Sequence, residues 1–167
     1  MSVATVPVIL LSAAPVQAHS FTGCHWANST VGYYYNGLNS NGFNISVHDG
    51  ASAWNPTDVT MTYATLAALR AYTSNDGNSG YAGWTSWNCS STGLTTSASS
   101  RLNTYVTTAY STAKKQTVWV HEFGHALGLR HSENGTIMFY CPPCTYDNFS
   151  GRNTPQSDDR TGVNALY

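Results

Sequence analysis

The run His121-Glu122-Phe123-Gly124-His125-Ala126-Leu127-Gly128-Leu129-Arg130-His131 constrains this chain more than any other stretch. Val120, Phe123 and Leu127 recur at helical spacing, which predicts a helix over Lys115–Leu127 with these residues on its buried face. Residues four apart share one face of a helix, so His121 and His125 can present two imidazole nitrogens to one metal ion. Glu122 lies about 100° round the axis, where its carboxylate can reach a metal-bound water without becoming a ligand. His131 could not join them on a continued helix, because it would stand about 15 Å along the axis from His121. Gly128 is placed where the chain must turn back, and glycine accepts the left-handed conformation that ends helices. The spacing therefore predicts a helix stop at Leu127 or Gly128 and a third ligand at His131.

Three histidines leave zinc one open position, which is the arrangement of catalytic rather than structural sites. Zinc in such a site lowers the pKa of bound water to about 7 and polarises a carbonyl. Glu122 is then expected to act as general base toward that water and as general acid toward the leaving amine. The bland alternative is a helix that carries core histidines and binds no metal.

On these residues the chain resembles the metzincins, whose signature is His-Glu-x-x-His-x-x-Gly-x-x-His followed by a methionine turn. Thr136-Ile137-Met138-Phe139-Tyr140 supplies the second element, with Met138 as the hydrophobic base beneath the ligands. Within that group His131-Ser132 resembles the matrixins. So does the tail Asp158-Asp159-Arg160-Thr161-Gly162-Val163-Asn164-Ala165-Leu166-Tyr167, which is similar to their closing helix. Tyr140, two residues past the methionine, instead resembles the tyrosine of astacins and serralysins. The resemblance therefore implies either a transition-state stabiliser at Tyr140 or a wall of the specificity pocket. Matrixins usually carry tyrosine directly after the methionine, where this chain has Phe139. Their cysteine-bearing inhibitory segment is not found, nor is their His/Asp-rich segment for a second zinc. His48-Asp49-Gly50 echoes the latter faintly, and His48 is expected to be a solvated helix residue.

The resemblance implies an α+β, zincin-like (metzincin) fold, in which a twisted mixed sheet carries a zinc-site helix and a C-terminal helix. It implies a secreted zinc endopeptidase with one catalytic Zn2+, acting on protein or peptide substrates, as a monomer, in settings such as the extracellular matrix. Two rivals stand beside it: a zinc-stabilised module that binds peptide without cleaving it, and a secreted zinc hydrolase acting on a non-peptide amide.

Other features bear on setting and organisation. With 167 residues the chain is long enough for one domain with a core of its own. Charged residues are 9% of it and the formal net charge is -1, so no basic patch invites nucleic acid. Residues 1–18 read as a signal peptide. Val6 to Ala14 is apolar, and Val16-Gln17-Ala18 has the form of a cleavage site, although the usual positive charge is missing. This run is too short to span a membrane. The catalytic domain is then expected over residues 19–167. Cys24, Cys89, Cys141 and Cys144 fit export as two disulfides; three connectivities are open. We favour Cys24–Cys89 with Cys141–Cys144, since Pro142-Pro143 stiffens the short loop between the latter.

Strands are expected at Val31–Tyr35, Val59–Tyr63 and Ser99–Val106, with a helix over Ile45–Trp54 that turns Ile45, Ala51 and Trp54 toward the sheet. Leu66–Tyr72 has helical composition, but the family order asks for a strand there. Residues 75–80 form a turn cluster. Matrixins bind calcium in such loops, yet Asp76 is its one carboxylate and Ca2+ wants 6–8 oxygen ligands. Tyr81–Trp84 is expected to be an edge strand whose Ala82 and Gly83 contact a substrate laid alongside as an added strand; the alternative is small residues in a twisted sheet. Residues 129–156 are expected to be mostly loop. Asp158–Tyr167 is expected to close the fold as a helix capped by Ser157; the resemblance to matrixins further implies that Asp158 or Asp159 pairs with an amino terminus at His19.

Overall fold

The computed structural model describes residues 19–167; the expected signal peptide lies outside them. Five strands form one sheet: β1 (Thr30–Tyr35), β2 (Thr60–Tyr63), β3 (Leu69–Ser74), β4 (Gly83–Cys89) and β5 (Thr95–Asn103). Their order is β2-β1-β3-β5-β4. All neighbours run parallel except β4, which pairs antiparallel with β5 and closes one edge. The helices are α1 (Phe43–Ser52), α2 (Thr104–Thr107), α3 (Thr112–Leu127), α4 (Pro142–Asn148) and α5 (Ser157–Asn164).

Alternation along the strands decides which face is covered. Val31, Tyr33 and Tyr35 of β1 point one way with Leu69 and Ala71 of β3 and Ala98 and Leu102 of β5, and all are buried. Phe43, Val47 and Ala51 of α1 and Val118, Trp119 and Phe123 of α3 meet them in a single core. Trp54 is fully buried just past α1 and donates its indole N–H to Val120 O of α3 at 3.1 Å, which fixes the two helices against each other. No helix of the described residues is long and apolar enough to cross a membrane.

Several expectations need correction. The helical stripe of α1 is Phe43, Val47 and Ala51, at steps of four. Ile45 is about 200° from Phe43 on that wheel and is 59% exposed rather than turned to the sheet. His48 is not simply solvated. It is half-buried, its Nδ1 lies 2.5 Å from the Tyr33 hydroxyl, and its ring packs on Tyr63. The strand expected at Ser99–Val106 begins at Thr95 and stops at Asn103, because the Asn103 side chain accepts from Tyr105 N and caps α2. The edge strand runs to Cys89 rather than ending at Trp84. The 129–156 segment holds a helix, α4, started by prolines at its first two positions, where no N–H is needed. In α5, Gln156 rather than Ser157 is the cap, and the Asp159 carboxylate reaches back to Gln156 N at 2.7 Å. Leu69–Ser74 is a strand as the family order requires, since its flanking partners β1 and β5 outweigh its helical composition. Both disulfides, Cys24–Cys89 and Cys141–Cys144, are present, and the described residues contain no free cysteine.

Candidate metal centre

Helix α3 presents His121 and His125 on one face and ends where the sequence predicts. Ser111 caps its start by accepting from Lys114 N. Gly128 takes φ 114° at its end, and its N–H bonds back to the last turn. A side chain there would also strike Cys24 O at 2.5 Å. The chain reverses, and His131 swings in. The three rings stand with centroids 4.6, 5.2 and 4.9 Å apart, and one nitrogen of each lies within 4.8 Å of the other two.

The hydrogen bonds around this cluster determine what it can hold. His121 Nδ1 is 2.8 Å from Ile137 O, and His125 Nδ1 is 2.8 Å from Leu129 O. A carbonyl only accepts, so both protons sit on Nδ1 and both Nε2 atoms carry bare lone pairs. Those two Nε2 atoms are 3.1 Å apart. Facing lone pairs at that distance repel unless a cation lies between them. Two nitrogens bound to one tetrahedral zinc at 2.0–2.1 Å stand about 3.3 Å apart. The donor set therefore fits zinc. Burial holds the His121 imidazole well below its ordinary pKa, helped by the nearby His125, and lowers His125 to about 4; burial lowers His131 as well. Each shift favours the deprotonated imidazole, the form that ligates.

Glu122 faces the inner side of β4. It is 4% exposed, and burial raises its carboxyl to about 8, against the pull of the Thr85 hydroxyl and the Arg101 charge. A cation at the three imidazoles would favour the ionised form. Gly83 borders it so closely that a Cβ there would lie 2.7 Å from Glu122 Oε1. Further along the same face Thr85 donates to Glu122 Oε2, and the Trp87 ring stacks on His125 at 6.4 Å. Nothing in the sequence singled out Thr85 or Trp87; they follow from Gly83 at strand period two, once the strand is known to continue.

Met138 is 1% exposed and lies against Gly124, where an added Cβ would fall on the Met138 sulfur and 3.0 Å from Trp54 Cζ2. The turn that carries it is held by the buried Asp159, whose carboxylate accepts from Ile137 N at 2.9 Å and Met138 N at 3.2 Å. Asp158 accepts from the Ser132 hydroxyl at 2.9 Å and meets the His19 imidazole at 3.2 Å. Arg130 N bonds to Ser20 O and Thr22 N to Gly128 O, so residues 19–22 brace the segment that delivers His131.

Ala82 is buried and Gly83 half-buried, at the start of the edge strand. Tyr140 is 69% exposed, with its ring 4.4 Å from that of Phe139. The Asp76 carboxylate is taken up by Arg101 at 2.9 Å and the Ser74 hydroxyl at 2.9 Å.

Comparison with known proteins agrees with this centre. The profile of the matrixin peptidase family, Peptidase_M10, matches residues 33–167. Matrix metalloproteinase-20 of Homo sapiens is 49% identical over 51 residues, which is 30% of this chain and 10% of that protein. The chain thus matches only a small part of that relative's length. Among solved structures, the GM1-bound form of the ECX AB5 holotoxin is similar in fold, with a TM-score of 0.59 at 15% identity over 83% of this chain and 80% of that one. With the family profile covering all but the first part of the chain, this protein belongs to the matrixins.

Proposed function

We propose that this chain is an exported zinc endopeptidase on a zincin-like fold. One observation carries the reading: three imidazoles converge, with two bare Nε2 atoms 3.1 Å apart, beside the buried carboxyl group of Glu122. His121, His125 and His131 would hold the zinc, and Met138 and the Gly128 turn keep them in place. Zinc bound there supplies a water of lowered pKa and polarises the scissile carbonyl. Glu122 receives the proton of the attacking water and delivers it to the departing amine. Its dry surroundings keep that proton from bulk solvent.

The free edge of β4 supports a place for substrate. Among the described residues β4 is paired on one side, with β5, so its other backbone groups can accept an extended peptide as an added antiparallel strand. Ala82 and Gly83 stand at its start and offer little side chain to obstruct that approach. Tyr140, exposed beyond Met138, is assigned as oxyanion stabiliser or as wall of the pocket that takes the substrate side chain. The two disulfides support an oxidising compartment and hence secretion. Asp76, already bound to Arg101, is left out of any calcium site. The expected partner is peptide, with the protein acting as a monomer.

The test combines one substitution with metal removal, read by casein or gelatin digestion. Glu122→Gln should retain one zinc per chain and lose about 10²- to 10⁴-fold in turnover. Chelation of the parent should abolish cleavage, and added zinc should restore it. A Glu122→Gln protein as active as the parent would overturn the mechanism.

A further inference from the structure

The inner face of β4 does more than border Glu122. Thr85 is buried, and its hydroxyl oxygen lies 2.7 Å from Glu122 Oε2, 3.0 Å from Glu122 O and 2.9 Å from Ser100 Oγ. A hydroxyl has one proton to donate, and the shortest of the three contacts is the one to the Glu122 carboxyl. Ser100, with no exposure at all, stands behind Thr85 and approaches Glu122 O at 3.5 Å. The pair therefore anchors one oxygen of a side chain whose last torsion is otherwise broad and two-fold. The other oxygen, Oε1, lies against the bare Cα of Gly83, two residues earlier on the same face. Gly83 itself puts no side chain against it, while Val118 Cγ1 lies 2.8 Å from the point where a Cβ on Gly83 would stand.

We propose that Thr85 is a positioning residue for Glu122: its hydroxyl pins Oε2, which leaves Oε1, beside Gly83, as the oxygen that takes the proton from water and passes it to the amine. The inference rests on the peptidase reading above. Thr85 touches neither substrate nor metal in this account; it acts by fixing the plane of the carboxylate. Removing the hydroxyl frees that plane to rotate, and a catalytic group off its productive geometry costs rate rather than substrate affinity.

The chain has two glutamates, Glu122 and Glu133. Labelling the glutamate carboxyl carbons with 13C therefore gives two signals, and Glu122→Gln identifies the relevant one. Thr85→Val and Thr85→Ser are compared with the parent at one pH, by this signal and by kcat and KM on a peptide. Thr85→Val should move the Glu122 signal and lower kcat roughly tenfold to a hundredfold with KM within about twofold. Thr85→Ser, which restores the hydroxyl, should return both toward the parent. A Glu122 signal unmoved in Thr85→Val, kcat within twofold of the parent, or a Thr85→Ser protein as impaired as Thr85→Val would each overturn the proposal. A parent that binds zinc but cleaves no peptide would sink the peptidase reading and with it the catalytic role of Thr85, while the carbon signal would still report whether the contact to Oε2 exists.

Discussion

At the scale of single residues, the site depends as much on atoms that are missing as on those present. Gly124 was an unremarked position between the two histidines of the motif, yet it lets Met138 and Trp54 close up beneath the ligands. Gly124→Ala should destabilise the protein by about 1–3 kcal/mol, the range for overpacking a filled core. Urea unfolding checks this, and an unchanged midpoint would show that Met138 moves aside freely. The convergence of the three histidines, the place of Glu122 beside them and the turn at Gly128 were legible because helical geometry links spacing to direction within one segment. Thr85, Trp87 and the role of Gly124 were not. Their partners lie 37, 38 and 14 residues away in sequence, and only the packing of β4 and the methionine turn on α3 brings them together.

At the scale of elements, the strands with apolar alternation were legible at β1 and β2, where one covered face imposes period two. The start of β5 was hidden because Thr95–Ser100 is almost all serine and threonine, and its strand state comes from pairing with β4, joined by β3 from Ala98 onward. Helix α4 was hidden by its two prolines, which read as a loop but serve as a helix start. The disulfides tie such elements together unequally. Cys24–Cys89 closes 65 residues of separation and joins the amino-terminal brace to the end of β4, whereas Cys141–Cys144 closes three. By loop entropy, replacing the first pair with serine should cost about 4 kcal/mol and replacing the second about 2 kcal/mol. Guanidinium unfolding of the two double variants measures the difference; equal losses would contradict this ranking.

At the scale of the whole molecule, four segments meet at one point. Helix α3 brings two imidazoles and Glu122. The reversed segment after Gly128 brings the third imidazole, braced by residues 19–22. Helix α5 holds both that segment, through Asp158 and Ser132, and the methionine turn, through Asp159. The edge strand β4 closes over the carboxylate. The three imidazoles so gathered range from buried at His121 to exposed at His131, which leaves the cluster open to solvent on one side. The direct measurement is X-ray absorption at the zinc edge on the zinc-loaded protein. The account predicts one zinc per chain with three imidazole nitrogens at about 2.0–2.1 Å and one oxygen from solvent. Sulfur at about 2.3 Å, a closed set of four protein ligands, or an imidazole count unchanged in His131→Ala would contradict it.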